Sequence, residues 1–375
     1  MLRSKGIGQG NGNMKNVIVL SLEPIETRYT GQWYTHIPSM LRKKLGSEYN
    51  VIQIDGVTNS GVPTNGAFLD FLSTNQWKNE QVNTFFHLVK DGLIQKGDHI
   101  IFTDAWNPTI VEIQYVNELM GMNWTTHGLW HAGSYDKFDF LGRLIGNKPW
   151  VEHAELSFFN CFKHNYFATD FHINLFLENL LKVDKRTGRI RYMPTGKIVR
   201  TGWPMEYLPD TMQPYVGMQK EDIILFPHRI APEKQLDIFK DLEKHLPQYK
   251  FIVCQEEKLA KHEYHTLLGK AKMVFSANLQ ETLGISLPEG ALLGAIPLAP
   301  DRLSYSEMYS ADFLYPSEWT SSYANYEMHR NEVVERIVKM MSTYERLAPV
   351  VQSMCPTLID KFFSADGLIN TIKQA

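Results

Sequence analysis

The sequence predicts an α/β protein made of two parallel-sheet halves that face each other across a cleft. Three observations carry that expectation. Short apolar runs alternate with segments of helical period, the pattern of strands joined by crossover helices. The alternation pauses in a proline-containing polar link after Thr201 and starts afresh near Lys220. At 375 residues the chain also exceeds what one hydrophobic core usually supports.

In order, residues 17–20 form a buried-strand run, followed by a polar turn to Gly31 and an amphipathic helix over 37–45. A second strand over 50–55 leads into polar, glycine-containing sequence that extends to about Trp77. That stretch is too long for a plain connection and reads as a functional loop. A helix over 82–94, a strand over 99–102, a helix over 111–120, strands over 125–129 and 166–169, and a helix over 173–181 complete the first half. Residues 182–200 are strongly basic, with turn signals at Thr187-Gly188 and Thr195-Gly196, and predict a hairpin-like excursion. The second half offers strands over 223–226, 251–254, 273–276 and 296–298, with helices over 234–246, 264–270, 331–344 and 350–372. The expected division is a disordered or non-native tail over 1–13, with Met14 as the biological start, an N-terminal domain over 14–205, a C-terminal domain over 206–349, and a final helix over 350–375.

A net charge of −3 gives no global attraction to nucleic acid, so any such binding requires a local patch. Three cysteines, odd in number and without metal-ligand spacing, point to a reduced protein without structural disulfides. No apolar run reaches membrane-spanning length and no metal-ligand pattern stands out, so the expectation is a cytoplasmic protein without a membrane partner.

The chemistry-bearing stretch is 278–291, which reads as a strand end, a glycine-containing loop and a helix start at Pro288. It holds Glu281 and, eight positions on, Glu289, with Thr282, Leu283 and Gly284 between. Carboxylates accept hydrogen bonds from sugar or ribose hydroxyls. Taken alone, the pair also fits a solvated turn. Upstream, Pro227-His228-Arg229 with Lys234 follows a strand, and those two cations suit a diphosphate. Arg302 and Glu307 read as a surface pair.

Together, Arg229, Lys234, Glu281-x7-Glu289, the run from Gly294 to Leu298 and Pro300-Asp301-Arg302 resemble retaining glycosyltransferases of the GT-B fold, with the motifs in family order across the second half. The resemblance implies two Rossmann-like domains facing across a cleft (GT-B) and a C-terminal helix crossing back to the first domain. It further implies a nucleotide-diphosphate sugar, first a UDP-sugar, as donor substrate, and neither a further cofactor nor a metal. Arg229, Lys234, Glu281, Thr282, Leu283, Gly284, Glu289 and, from the first half, Gly31 would bind that donor. One departure is His228, where the family often has glycine.

In the first half, the segment from Thr125 to Asp136 carries His127, His131 and Asp136, and a first-domain histidine contacts the donor sugar in the resembled family. His131, His127, Asp136 and Glu281 are therefore the catalytic candidates. Single histidines are also common as structural residues. The first half also resembles, more loosely, bacteriophage glycosyltransferases, some of which act on hydroxymethylated pyrimidines in DNA. On that reading Trp33, Trp77 and Trp106 would stack on a flipped base beside Asp104, and Arg186, Arg189 and Arg191 would track the phosphates. A solvated hairpin and core tryptophans remain the alternative. The function expected is transfer of a hexose or pentose with retention to a hydroxyl, in first place on modified phage DNA, with the host cytoplasm as its location. A glycan or small-molecule acceptor, or a catalytically silent sugar-nucleotide-binding protein, is the alternative.

Overall fold

The computed structural model describes residues 14–25, 28–57, 70–184, 186–189 and 196–375. The first lobe runs β1 (Lys15–Leu20), α1 (Tyr29–Leu45), β2 (Tyr49–Ile54), α2 (Phe71–Lys90), β3 (His99–Phe102), α3 (Thr109–Leu119) and β4 (Thr125–Leu129). It continues with α4 (Phe140–Ile145), α5 (Pro149–Cys161), β5 (His164–Phe167), α6 (Asp170–Asn179) and β6 (Lys197–Arg200). After α7 (Leu208–Met212), the second lobe runs β7 (Glu221–Phe226), α8 (Leu236–His245), β8 (Lys250–Val253), α9 (Lys261–Lys270), β9 (Ala271–Phe275), α10 (Ser286–Leu292), β10 (Ile296–Pro300), α11 (Tyr305–Met308) and β11 (Leu314–Tyr315). Helices α12 (Tyr323–Ser342), α13 (Tyr344–Phe362) and α14 (Asp366–Gln374) end the chain.

Among the described residues the first sheet has the order β2-β1-β3-β4-β5-β6 and the second β11-β10-β9-β7-β8, with all pairs parallel. The two orders share one topology over five strands, and the first sheet adds β6 at its edge. Each opens its switch point between its first and third strands, where the crossover connections diverge and leave a crevice at the carboxyl ends. In the first lobe that crevice lies beyond β1 and β3, in the second beyond β7 and β9.

Strand alternation divides the first-lobe core. Ile18 and Leu20 pack with Phe102, Trp130, Phe159 and Phe176 on one face. Val17 and Val19 pack on the other with Trp33, Ile37 and Leu41, in a cluster that continues through Trp203 and Met205 into the second lobe. The C-terminal helices complete this second layer. Helix α13 lies against α10 and β10, whereas α14 returns to α1 and β6. The return is sewn by polar contacts: Lys44 Nζ reaches Asp366 at 2.6 Å, Tyr49 Oη donates to Ile372 O at 3.3 Å, and Ala365 N donates to Glu206 Oε1 at 2.9 Å. Two Rossmann-like lobes with a C-terminal helix packed back on the first are therefore present as expected.

Several elements differ from the sequence reading. Helix α1 begins at Tyr29, so Gly31 lies in its first turn rather than in a loop. Trp77 belongs to α2, and only residues 58–69 of the supposed functional loop lie outside the described residues. The Thr187-Gly188 turn is present, with Gly188 at φ 66°, but residues 197–200 are no hairpin limb. They form β6, parallel to β5, because a free strand edge is available there. Lys234 sits in a short 3₁₀ turn (Pro232–Lys234) ahead of α8, and left-handed Gln235 separates the two. The tail over 1–13 and Arg191 lie outside the described residues.

Candidate functional site

The loop between β9 and α10 is held rigid from below. Arg302 donates from three nitrogens to the carbonyls of Ala277, Asn278, Ser317 and Thr320, so it is an internal scaffold and not half of a surface pair. Gly290 packs α10 so closely on β9 that a Cβ there would lie 2.9 Å from Val274. Gly284 turns the loop with φ 81°, a conformation costly for side-chain-bearing residues. Among the described residues, no protein acceptor takes the N–H groups of Leu283 and Gly284.

On that loop Glu281 Oε1 receives Lys234 Nζ at 2.8 Å and Asn278 Nδ2 at 3.0 Å. Lys234 also donates to Gln280 O at 2.5 Å, and it is almost fully buried. Asn278 Nδ2 lies 3.0 Å from Tyr305 Oη and 3.3 Å from His228 Nδ1, so His228 is a packed partner of the loop. Arg229 pairs with buried Glu233, which Arg143 of the first lobe approaches at 3.4 Å. Glu289 accepts from Tyr264 Oη at 3.0 Å, and burial pushes its carboxyl pKa up to about 7. The two glutamates thus have separate partners: Glu281 belongs with Lys234, and Glu289 with Tyr264 and the charge of Lys261.

The first lobe brings its own switch-point groups. Arg28 precedes α1, whose first turn carries no acidic residue and no side-chain cap. Such an end attracts anions. Burial lowers the Arg28 pKa, and the nearby charge of Arg229 across the cleft adds to that effect. The loop after β4 supplies Asp136 and Asp139. Burial raises both carboxyl pKa values, that of Asp139 to about 7. Asp136 bonds the side chain of Gln280 and senses Lys234, which joins it to the second-lobe cluster. Asp104 lies 3.8 Å from Lys78 and influences Arg28 and His131.

His131 is at the cleft, but both ring nitrogens are engaged: Nδ1 with Tyr29 Oη and Nε2 with Thr103 O, each at 2.6 Å. Its carbonyl oxygen accepts from Thr282 Oγ1 at 2.7 Å. The ring therefore fixes the loop, and the main chain faces the second lobe. His127 is not at the cleft. It is fully buried in mid-β4, stacked between His99 and His164 and bonded to Tyr166 Oη at 2.7 Å.

The proposed base-stacking tryptophans are likewise committed elsewhere. Trp33 and Trp77 are 2% and 3% exposed, and Trp77 Nε1 donates to Ser21 O. Trp106 is half-buried, with its Nε1 bonded to Glu155 at 2.8 Å. Arg186 and Arg189 lie in an exposed turn ordered by Asp184. Lys182 and Arg200 nearby are offset by Glu152 and by Asp170 with Glu307.

Residues not expected to join the lobes hold them together, among them Glu307, which pairs with the start of α6 and not with Arg302 at the surface. Thr169 Oγ1 donates to Thr282 O at 2.6 Å. Glu307 accepts from the N–H groups of Asp170 and Phe171 at 3.1 and 3.0 Å and so caps α6 from the opposite lobe. Glu233 and Arg143 bridge at the site itself. Among the described residues no group of three or more His, Cys, Asp or Glu is placed to hold a metal ion, and no helix is long and apolar enough to cross a membrane.

No family model matches the sequence, and no curated protein matches it. The fold matches many solved structures. Sucrose-phosphate synthase from Thermosynechococcus elongatus aligns at TM-score 0.61 and 10% identity, over 96% of this chain and 98% of that one. The UDP-forming α,α-trehalose-phosphate synthase of Burkholderia vietnamiensis aligns at TM-score 0.58 and 10% identity, over 96% and 100%. The pneumococcal O-GlcNAc transferase GtfA, in complex with UDP and GlcNAc, aligns at TM-score 0.48 and 15% identity, over 80% of this chain and 59% of that one. The full-length matches place this chain in the GT-B fold: two Rossmann-like lobes with a C-terminal helix packing back.

Proposed function

We propose that this chain is a glycosyltransferase that moves a sugar from a nucleotide-diphosphate donor, first a UDP-sugar, to a hydroxyl of a small-molecule or glycan acceptor, with retention and without an obligatory metal. One observation carries the reading. Arg229, Lys234 and Glu281 on the second lobe's switch-point loops converge with Arg28 and the α1 N-terminus on the first. Two of these cations face each other across the cleft, as a diphosphate bridging the lobes requires. Glu289, beside Tyr264, suits the ribose hydroxyls, and Glu281 suits those of the sugar. As the anomeric carbon leaves the diphosphate and bonds the acceptor oxygen, the acceptor loses its proton and charge grows on the leaving phosphate. Arg229, Arg28 and the N–H groups of Leu283 and Gly284 would stabilise that charge. The nucleotide half would span 206–349 and the acceptor half 14–205.

A DNA acceptor is the weaker reading. Its tryptophans are buried or tied down, and Lys182 and Arg200 are ion-paired. The fold-level matches fit the small-molecule and glycan reading better, since two of them are synthases of sucrose phosphate and trehalose phosphate. The test is a transfer assay with UDP-, ADP- and GDP-sugars against neutral sugars, sugar phosphates and hydroxymethylated DNA. Turnover with a small acceptor supports the proposal. Turnover confined to DNA reverses the choice of acceptor, and nucleotide binding without turnover reduces the protein to a sugar-nucleotide binder.

A further inference from the structure

Between the lobes, flanking the donor cluster, lies a cavity of about 510 Å³ that none of the donor residues fills. Its walls come from both lobes: the loop after β4 and helices α5 and α6 on one side, Leu279 and Leu303 on the other. Asp136 belongs both to this wall and to the donor cluster, through Gln280 and Lys234. Cavity and donor site therefore share a carboxylate.

The cavity is built, not incidental. Glu155, fully buried, accepts from Ser134 N at 2.6 Å, Ser134 Oγ at 2.7 Å and Trp106 Nε1 at 2.8 Å. Asn179 Nδ2 holds the carbonyl of Tyr135 at 2.9 Å. These bonds fix the loop that forms the wall before any ligand arrives. Lys182 and Leu303, on opposite lobes of the lining, are also two of the five non-glycine residues with left-handed backbone among the described residues, at φ 55° and 59°. Side-chain-bearing residues adopt that conformation at a cost, and such strain concentrates where a chain must present a site.

We propose that this cavity is the acceptor subsite and that it takes a neutral disaccharide. The inference rests on the sugar-transfer reading above. Size and lining argue for it. The volume lies in the usual range of small-ligand sites. The half-buried faces of Phe138, Phe171 and Leu175 suit the C–H faces of a sugar ring, and Asp136 and Glu152 suit its hydroxyls. Charge gives anions no advantage. The lining holds three carboxyl groups, Asp136, Glu152 and Glu155, against the amines of Lys137 and Lys182, and Lys182 is already offset by Glu152 at 3.5 Å. A phosphorylated sugar or a nucleic acid would find no surplus of cations there to pair with its phosphates.

The test is calorimetric titration of the full chain with maltose, trehalose and glucose 6-phosphate, each with and without UDP. Leu175→Trp fills the cavity from α6. Glu152→Leu removes a half-exposed hydrogen-bond acceptor and covers the case in which the larger substitution disturbs folding. The expected result is that a neutral disaccharide binds the wild type and is weakened by about tenfold or more in both variants, while UDP affinity stays within about twofold. The inference is overturned if neither disaccharide binds the wild type, if both variants bind it at wild-type strength, or if glucose 6-phosphate alone binds. Failure of UDP to bind the wild type would sink the donor reading instead, because the saccharide titrations are also read in its absence.

Discussion

Glu289, the proposed ribose contact, shows how a single buried carboxyl ties stability to pH. Its carboxyl is pushed up by burial to about 7 from an ordinary 4.5. Between those values the folded state keeps a proton that the unfolded chain releases, so folding loses stability as pH rises through that window. The penalty is complete above 7 and amounts to about 3 kcal/mol at most. Glu289→Gln should therefore raise the denaturant midpoint at pH 8 and leave it unchanged at pH 4, while weakening UDP binding at pH 8. Equal effects on stability at both pH values would contradict the buried-carboxyl account. His164 works in the opposite sense. Its pKa, and that of stacked His99, is lowered by burial to about 4, so their burial costs stability progressively as pH falls below 6.5. His164→Phe keeps the stack and should lessen the loss of stability between pH 7 and pH 5 by about 1–2 kcal/mol. Urea melts at the two pH values measure it, and an undiminished loss would refute it.

At the scale of elements, the loop between β9 and α10 is the joint on which both lobes meet. Thr282 bonds His131 O and Thr169, and Glu307 caps α6 from the opposite lobe. Removing these bonds with Thr169→Val, Thr282→Val and Glu307→Ala together should let the lobes part. Small-angle scattering should then give a larger radius of gyration than the wild type, and superimposable curves would speak against the latch. The elements themselves were largely legible. Strands buried on both faces appear as apolar runs, and each ends where polar residues begin, which put Arg229 and Glu281 in the loops after strands, with Glu289 at the start of the next helix. What misled was polarity inside an element. β4 reads Thr-Thr-His-Gly-Leu, and nothing local reveals that His127 stacks between two other buried histidines rather than facing solvent. Tryptophans in polar stretches misled for a similar reason, since the partners that bury Trp33 and Trp77 come from distant segments. The roles of Glu233 and Arg143 were illegible, and Glu307 was misread as a surface partner of Arg302, because each acts through a residue far away in the chain.

For the whole molecule, the same strand order repeated in two lobes puts two crevices face to face. On the proposed function they form one donor site. Its most direct measurement is calorimetric titration of UDP against the wild type, Arg229→Ala, Arg28→Ala and the double variant. Loss of a charge-assisted hydrogen bond predicts about 10- to 100-fold weaker binding in each single variant. The double variant should fall short of the product of the two losses, because both cations hold one diphosphate. UDP bound by Arg229→Ala and Arg28→Ala at wild-type strength would contradict the account.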